Sequence, residues 1–133
     1  MRALCLDVGD RRIGVALSDP TGTIASPLTT IHRSSEVRDQ QRIAELVRQH
    51  SVDRVVIGLP RTLRGELGPQ AQRVLRFGDH LSRVVGVPVG YWDERYSTEE
   101  AERIVGRRKR GRGSVDEVAA AVILQGYLDS QAK

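Results

Sequence analysis

The chain has 133 residues, the length of one domain, and its 39% apolar content can build a core without disulfides or a structural metal. Its five aromatic residues (Phe77, Tyr91, Trp92, Tyr96 and Tyr127) are too few for a surface that grips bases mainly by stacking. The net charge of +4 hides a division: residues 103–112 hold Arg103, Arg107, Arg108, Lys109, Arg110 and Arg112 and no acid, while the rest of the chain carries 15 basic against 17 acidic residues.

Residues 2–8 form a nearly continuous apolar run, the pattern of a central strand covered on both faces. After a turn at Gly9-Asp10-Arg11, residues 12–18 alternate with Ile13, Val15 and Leu17 on one side. Asp19-Pro20-Thr21-Gly22 is a second turn, and Thr23 to Ile31 reads as a third strand interrupted by Pro27. Short turns predict that these three strands pair antiparallel. From Glu36 to His50 the period becomes helical, with Ile43, Leu46, Val47 and His50 on one face. Residues 53–58 are a buried strand ending at Leu59-Pro60, and a helix follows from Pro69 to Val85. Residues 87–92 are a fifth strand. Ser97-Thr98-Glu99-Glu100 and Ser114-Val115-Asp116-Glu117 are capping boxes, the first opening a short helix and the second the last helix. The order βββαβαβ followed by helices predicts an α/β fold, a mixed sheet with helices on its faces in a single domain spanning residues 1–133. The lone Cys5 permits no intrachain disulfide, and no apolar run approaches a membrane span or a signal peptide core, so a cytoplasmic protein without a membrane partner is expected.

Three acidic positions stand out. Asp7 ends the first strand, and ligands of open α/β sheets bind at the carboxyl ends of strands. The competing reading is a turn-forming aspartate bonded to the amides of Gly9 and Asp10. Asp93-Glu94-Arg95 closes the fifth strand, where alternation sends the two acids to opposite faces and Arg95 is free to pair with either. Asp116 shares a helix face with Ala120, Ile123 and Tyr127, which must pack on the sheet, so it is directed inward; otherwise it simply stabilises a helix N-terminus. Carboxylates converging on one point repel each other unless a cation joins them, and hard oxygen ligands suit Mg²⁺ or Mn²⁺. Two such ions would sit against phosphate oxygens, activate water and stabilise the leaving oxygen. His32, His50 and His80 lack metal-ligand spacing, and no Ser/His/Asp or Cys/His arrangement is readable.

The segment from Gly106 to Gly113 is uniformly positive and punctuated by glycine. It suits contact with phosphates without reading sequence, or it is a solvated loop. Its place just before Asp116 favours phosphate contact.

These residues have a familiar arrangement. Asp7-Val8-Gly9-Asp10-Arg11-Arg12-Ile13-Gly14-Val15-Ala16-Leu17-Ser18-Asp19 resembles the opening motif of the YqgF (RuvX) family of bacterial RNase H-like nucleases. Gly58-Leu59-Pro60 with Gly65 and Gly68-Pro69-Gln70-Ala71, then Asp93 to Thr98, then Val115 to Gln125, resemble its later blocks in the right order. The resemblance implies an RNase H-like, five-stranded mixed sheet. It also implies a nuclease that matures the 5′ end of precursor 16S ribosomal RNA, with resolution of Holliday junctions as the alternative. It carries over Asp7, Glu94 and Asp116 as the acids. One departure is Arg61-Thr62-Leu63-Arg64, where the family more often has an Asn and an Asp.

The expected activity is therefore metal-dependent phosphodiester hydrolysis on structured RNA or branched DNA, by a monomer or homodimer. Asp7, Glu94 and Asp116 are both the catalytic and the metal-binding residues. Arg107, Arg108, Lys109, Arg110 and Arg112 hold the backbone, with Arg11, Arg12 and Arg95 as further contacts near the mouth. The Asp-x-Gly turn also resembles the phosphate loop of the actin, Hsp70 and sugar-kinase ATPases, but those enzymes clamp nucleotide between two such domains. A Rossmann dehydrogenase fails because no G-x-G-x-x-G follows the first strand. A non-catalytic RNA-binding protein would leave the inward acids without a purpose.

Overall fold

The computed structural model describes residues 1–62, 64–96, 99, 102–103, 105–106 and 115–132. Five strands form one sheet: β1 (Ala3–Val8), β2 (Arg12–Ser18), β3 (Ala25–His32), β4 (Arg54–Leu59) and β5 (Val89–Asp93). Their spatial order is β3-β2-β1-β4-β5. As expected from the short turns, β1, β2 and β3 pair antiparallel, while β4 and β5 lie parallel to β1. Helices α1 (Glu36–Gln49) and α2 (Pro69–Ser82) cover one face, and α3 (Val115–Gln131) covers the other. A 3-10 turn at Glu94–Tyr96 follows β5, and the described residues 99, 102–103 and 105–106 are helical.

The central strand β1 is buried on both sides because its alternate residues feed two cores. Leu4, Leu6 and Val8 pack with Ile13, Val15, Val55 and Ile57 beneath Ile43, Val47, Phe77 and Leu81 of α1 and α2. Ala3 and Cys5 pack with Ala16, Ala25 and Val56 beneath Ala120, Ala121, Leu124 and Tyr127 of α3. The second face is made of small residues, so α3 lies close to the sheet. Its predicted inward residues Ala120, Ile123 and Tyr127 are all buried.

Local chemistry sets the boundaries. Ser35 caps α1, its side chain accepting the Arg38 amide at 3.2 Å. Gly68 precedes Pro69, which opens α2 at a position where the missing N–H costs nothing. That helix stops at Ser82, short of the expected Val85: the Arg83 amide turns back to the His80 carbonyl and Gly86 adopts a left-handed φ of +73°. The fifth strand begins at Val89 rather than residue 87, because Pro88 contributes only its carbonyl, which the Val55 amide reaches at 2.9 Å. Pro27 is accommodated on the edge strand β3 opposite Ala16, where the β2–β3 register shifts. Gln125, buried at 4% exposure, accepts the Ala25 amide and ties α3 to this edge. Among the described residues no helix is long and apolar enough to cross a membrane.

Candidate active site

Alternation along β1 turns Asp7 toward α3 while its neighbours Leu6 and Val8 face α1 and α2. The positions flanking Asp7 on both sides are glycines. Gly14 of β2 is its direct partner, and Gly58 of β4 follows Ile57, the partner of Leu6. Both are bare for a reason. A Cβ on Gly14 would collide with the backbone carbonyl of Asp116, and one on Gly58 would stand 2.9 Å from Glu94 Oε1 and 3.0 Å from Ile123 Cδ1. Glycine inside a strand marks the close approach of another segment. Here the two glycines let the first turn of α3 and the turn after β5 settle on the sheet on either side of Asp7.

The side chains of Asp7 and Glu94 are hydrogen-bonded to each other, which requires a shared proton. Burial raises the Asp7 carboxyl above its ordinary value and the charge of Asp116 adds to this, while the bond to Glu94 opposes it. Glu94 is pushed up to about 7, first by burial, then by the charge of Asp7 and the bond between them, and last by Asp93. Asp116 is engaged elsewhere: its Oδ2 accepts from Arg12 Nε at 2.8 Å. The structure therefore brings Asp7 and Glu94 together and places Asp116 over Gly14 beside them, held by Arg12. Among the described residues no three acidic, histidine or cysteine side chains close on one point.

The turn-forming reading of Asp7 does not hold, since the Gly9 amide donates to the Arg12 carbonyl at 2.9 Å. The choice between Asp93 and Glu94 is made by two arginines. Arg95 reaches both oxygens of Asp93, with Nη2 at 2.7 Å from Oδ2, and its backbone amide donates to Oδ1 at 2.9 Å. Arg61 Nε lies 3.1 Å from Asp93 Oδ2; it is too misaligned for a hydrogen bond, so this contact is Coulombic. These partners, Arg95 foremost, hold the Asp93 carboxyl below the usual range. The loop bearing Arg61 leans on the same group, for a Cβ on Gly65 (φ +81°) would stand 2.9 Å from Arg95 Nη1. With Asp93 pinned on one side, Glu94 turns to the other. Arg61 thus orders the end of β5, and Arg95 spends its guanidinium on Asp93.

An open cleft of about 530 Å³ lies over the acid pair, lined by Asp7, Glu94 and Glu102 and by apolar residues of α3 including Val118 and Ile123. Glu102 is a site residue that sequence reasoning missed; its helix carries no apolar stripe long enough to orient it. Glycines at 14 and 58 were a readable signal for close approach, because both interrupt strands. Arg11 is exposed at the tip of the β1–β2 turn. The basic segment with Arg107, Arg108, Lys109, Arg110 and Arg112, and the residues Ser97, Thr98, Glu100 and Ser114 of the two capping boxes, lie outside the described residues.

Comparison with known proteins gives a consistent picture. A family model described as RuvX, Holliday junction resolvase, matches residues 1–130. A relative from Caldanaerobacter subterraneus subsp. tengcongensis, named "Putative pre-16S rRNA nuclease", is 48% identical over 139 residues, with 98% of each chain covered. One of the same name from Moorella thermoacetica is 50% identical over 133 residues, covering 97% of this chain and 95% of its own. Among solved structures, T. thermophilus RuvC in complex with a Holliday junction substrate aligns with a TM-score of 0.66 at 17% identity, over 99% of this chain and 96% of that one. At that identity the likeness is one of fold, and the fold is RNase H-like.

Proposed function

The chain belongs to the RuvX family, and from that premise we propose that its 133 residues act as one nuclease domain that hydrolyses phosphodiester bonds in structured RNA, the 5′ end of precursor 16S ribosomal RNA being the intended substrate. The observation that carries the reading is the meeting of Asp7 and Glu94 in one cleft at the carboxyl edge of the sheet, seated between Gly14 and Gly58. Half-buried carboxylates with no basic partner of their own are costly. A pair retained in that state has a use for a cation.

The donor set fits Mg²⁺ or Mn²⁺. Asp7 and Glu94 offer hard oxygens already in contact, and a divalent ion would take the place of their shared proton. Asp116 would complete the set once Arg12 turns to a phosphate, and Glu102 on the wall of the cleft would help to orient water. Bound there, one or two such ions would polarise the phosphate, activate water and stabilise the leaving oxygen. The chain's own share of the work is position and charge. The sheet fixes Asp7, Arg61 and Arg95 fix the turn that carries Glu94, and Gly14 fixes the start of α3. Arg12, Arg11 and the segment 107–112 draw the backbone to the acids.

The test is cleavage of precursor 16S ribosomal RNA and of a synthetic four-way DNA junction in parallel, with Mg²⁺ or Mn²⁺ and with the Asp7→Asn protein as control. Site-specific cleavage of the RNA that Asp7→Asn abolishes is the expected result. Full activity in that variant would refute the assignment of the site. Resolution of Holliday junctions is the second reading, favoured by the description of the family model; symmetric cutting of the junction with no cleavage of the RNA would establish it instead.

A further inference from the structure

The turn between β1 and β2 joins the strand that carries Asp7 to Arg12, the residue that holds Asp116. It has no core of its own: Gly9 is half-buried, and Asp10, Arg11 and Arg12 are exposed. One hydrogen bond closes it from within, the Gly9 amide donating to the Arg12 carbonyl at 2.9 Å. Among the described residues, the two hydrogen bonds that reach the main chain of residues 9–11 from outside both come from Arg33. Its amide donates to the Arg11 carbonyl at 2.8 Å, and its Nη1 donates to the Gly9 carbonyl at 3.0 Å.

Arg33 is itself held by both helices of that face. Its Nε pairs with Oδ2 of Asp39, a residue of the first turn of α1 that is only 3% exposed, at 3.3 Å. The other oxygen of Asp39 accepts the Ser34 amide at 3.1 Å. The guanidinium lies 5.2 Å from the centre of the Phe77 ring of α2. Arginine can be gripped at Nε while Nη1 donates elsewhere, because its donors form one rigid fork. Packing alone does not call for this arrangement, since an apolar pair of similar size generally serves a core as well as a buried ion pair or better. What an apolar pair cannot supply is a fixed donor aimed at the Gly9 carbonyl.

We propose that Arg33 is a positioning residue of the active site, supported by Asp39: through Gly9 it fixes the turn from which Asp7 and Arg12 diverge. Its effect on catalysis rests on the nuclease reading above. Asp7 is the last residue but one of β1 and Arg12 the first of β2. The placing of the turn between them therefore sets where Arg12, with Asp116 at 2.8 Å, stands relative to Asp7. Errors in such spacing are felt in the rate of the chemical step. The phosphate contacts proposed at residues 107–112 are left untouched, so affinity for the substrate should change little.

The test replaces both partners, Arg33→Met/Asp39→Leu, which removes the donor without leaving a buried charge unpaired. Ile43→Val, a methylene lost from the buried face of α1 one turn further on, is the control for lost stability alone. Rates are measured well below the melting temperature of either variant. We expect the double variant to melt no lower than Ile43→Val, yet to lose about tenfold in kcat with KM changed less than about threefold. Its backbone amide order parameters at Gly9, Asp10 and Arg11, read by NMR relaxation, should fall from about 0.85 toward 0.6, while those of Ile43→Val should not. Arg33→Lys keeps a charge beside Asp39 and a donor on the same stem, and should recover part of the rate. A double variant with the kcat or the order parameters of the control, or no recovery with lysine, overturns the proposal. A wild-type protein that cleaves nothing would sink the nuclease reading instead, and the order parameters alone would then decide whether Arg33 anchors the turn.

Discussion

Asp7→Asn should abolish cleavage and make the metal-free protein more stable. The rise of Glu94 from an ordinary 4.5 to about 7 marks an environment unfavourable to its charged form, softened by the access of solvent to this half-buried group. Burial, the largest cause, survives the substitution; the charge of Asp7 and the hydrogen bond that keeps Glu94 protonated do not. An amide donor at position 7 favours ionised Glu94, so about 1 kcal/mol of the penalty should be relieved once solvent screening is allowed for. For a chain of this size that is a gain in melting temperature of about 3–5 °C. The sign follows from linkage. Folded Glu94 keeps a proton that the unfolded chain releases, so wild-type stability falls as pH climbs from about 4.5 to about 7 and stays reduced above it. The advantage of the variant should therefore be full above pH 7 and vanish below about 4.5. Thermal melts at pH 4.5 and 8 in chelator read this directly. Added Mg²⁺ should raise the wild type more than the variant at pH 8, since only the wild type offers both carboxylates. A variant no more stable than wild type at pH 8 in chelator, or equally stabilised at both pH values, would refute the reasoning.

Gly14→Ala should destabilise by about 2 kcal/mol or more and remove activity, because the obstructing atom is the Asp116 carbonyl and a backbone cannot rotate aside. Gly90→Ala, where a Cβ meets nothing within 4 Å, should melt within about 0.5 kcal/mol of wild type. Arg61→Gln loses a half-exposed contact worth about 0.5–1 kcal/mol and should lower kcat about two- to fivefold at constant KM, with Arg61→Lys partly restoring it in steady-state assays. Asp39→Ala strips the buried partner of Arg33 and of the Ser34 amide, and chemical denaturation should show a loss of about 2 kcal/mol.

The parts of this molecule that were legible in the sequence are those governed by local period. An apolar run stopping at Asp7 marked the end of a central strand, and the spacing of Asp116, Ala120, Ile123 and Tyr127 marked the inward face of α3. The parts that were not legible depend on contacts between distant segments. Whether Asp93 or Glu94 faces Asp7 is set by Arg61, which lies in another loop, and by the way Arg95 folds back on Asp93. The pairing of Arg12 with Asp116 spans 104 residues and sets a predicted phosphate contact against a predicted metal ligand. Glu102 entered the cleft wall without any pattern to announce it. The end of α2 was overestimated because Val85 remains buried in the turn that follows the helix, and an apolar period cannot distinguish a buried turn from one more turn of helix.

The arrangement separates what holds the fold from what the site requires. Both cores close below the carboxyl edge, so the carboxylates at 7 and 94 add no packing and cost stability while no cation is present. The two glycines beside Asp7 likewise give up side-chain packing so that acid-bearing segments can come close. A binding module would have no reason to retain either expense, since exposed arginines alone attract polyanions. The Arg12–Asp116 pair supplies a further consequence. One residue of the cationic surface is held by one residue of the acid group, so a phosphate that draws Arg12 away frees Asp116 at the same moment. If the proposed roles hold, arrival of the backbone and completion of the acid set would be one event, and divalent metal should bind more tightly to the protein–nucleic acid complex than to the protein alone.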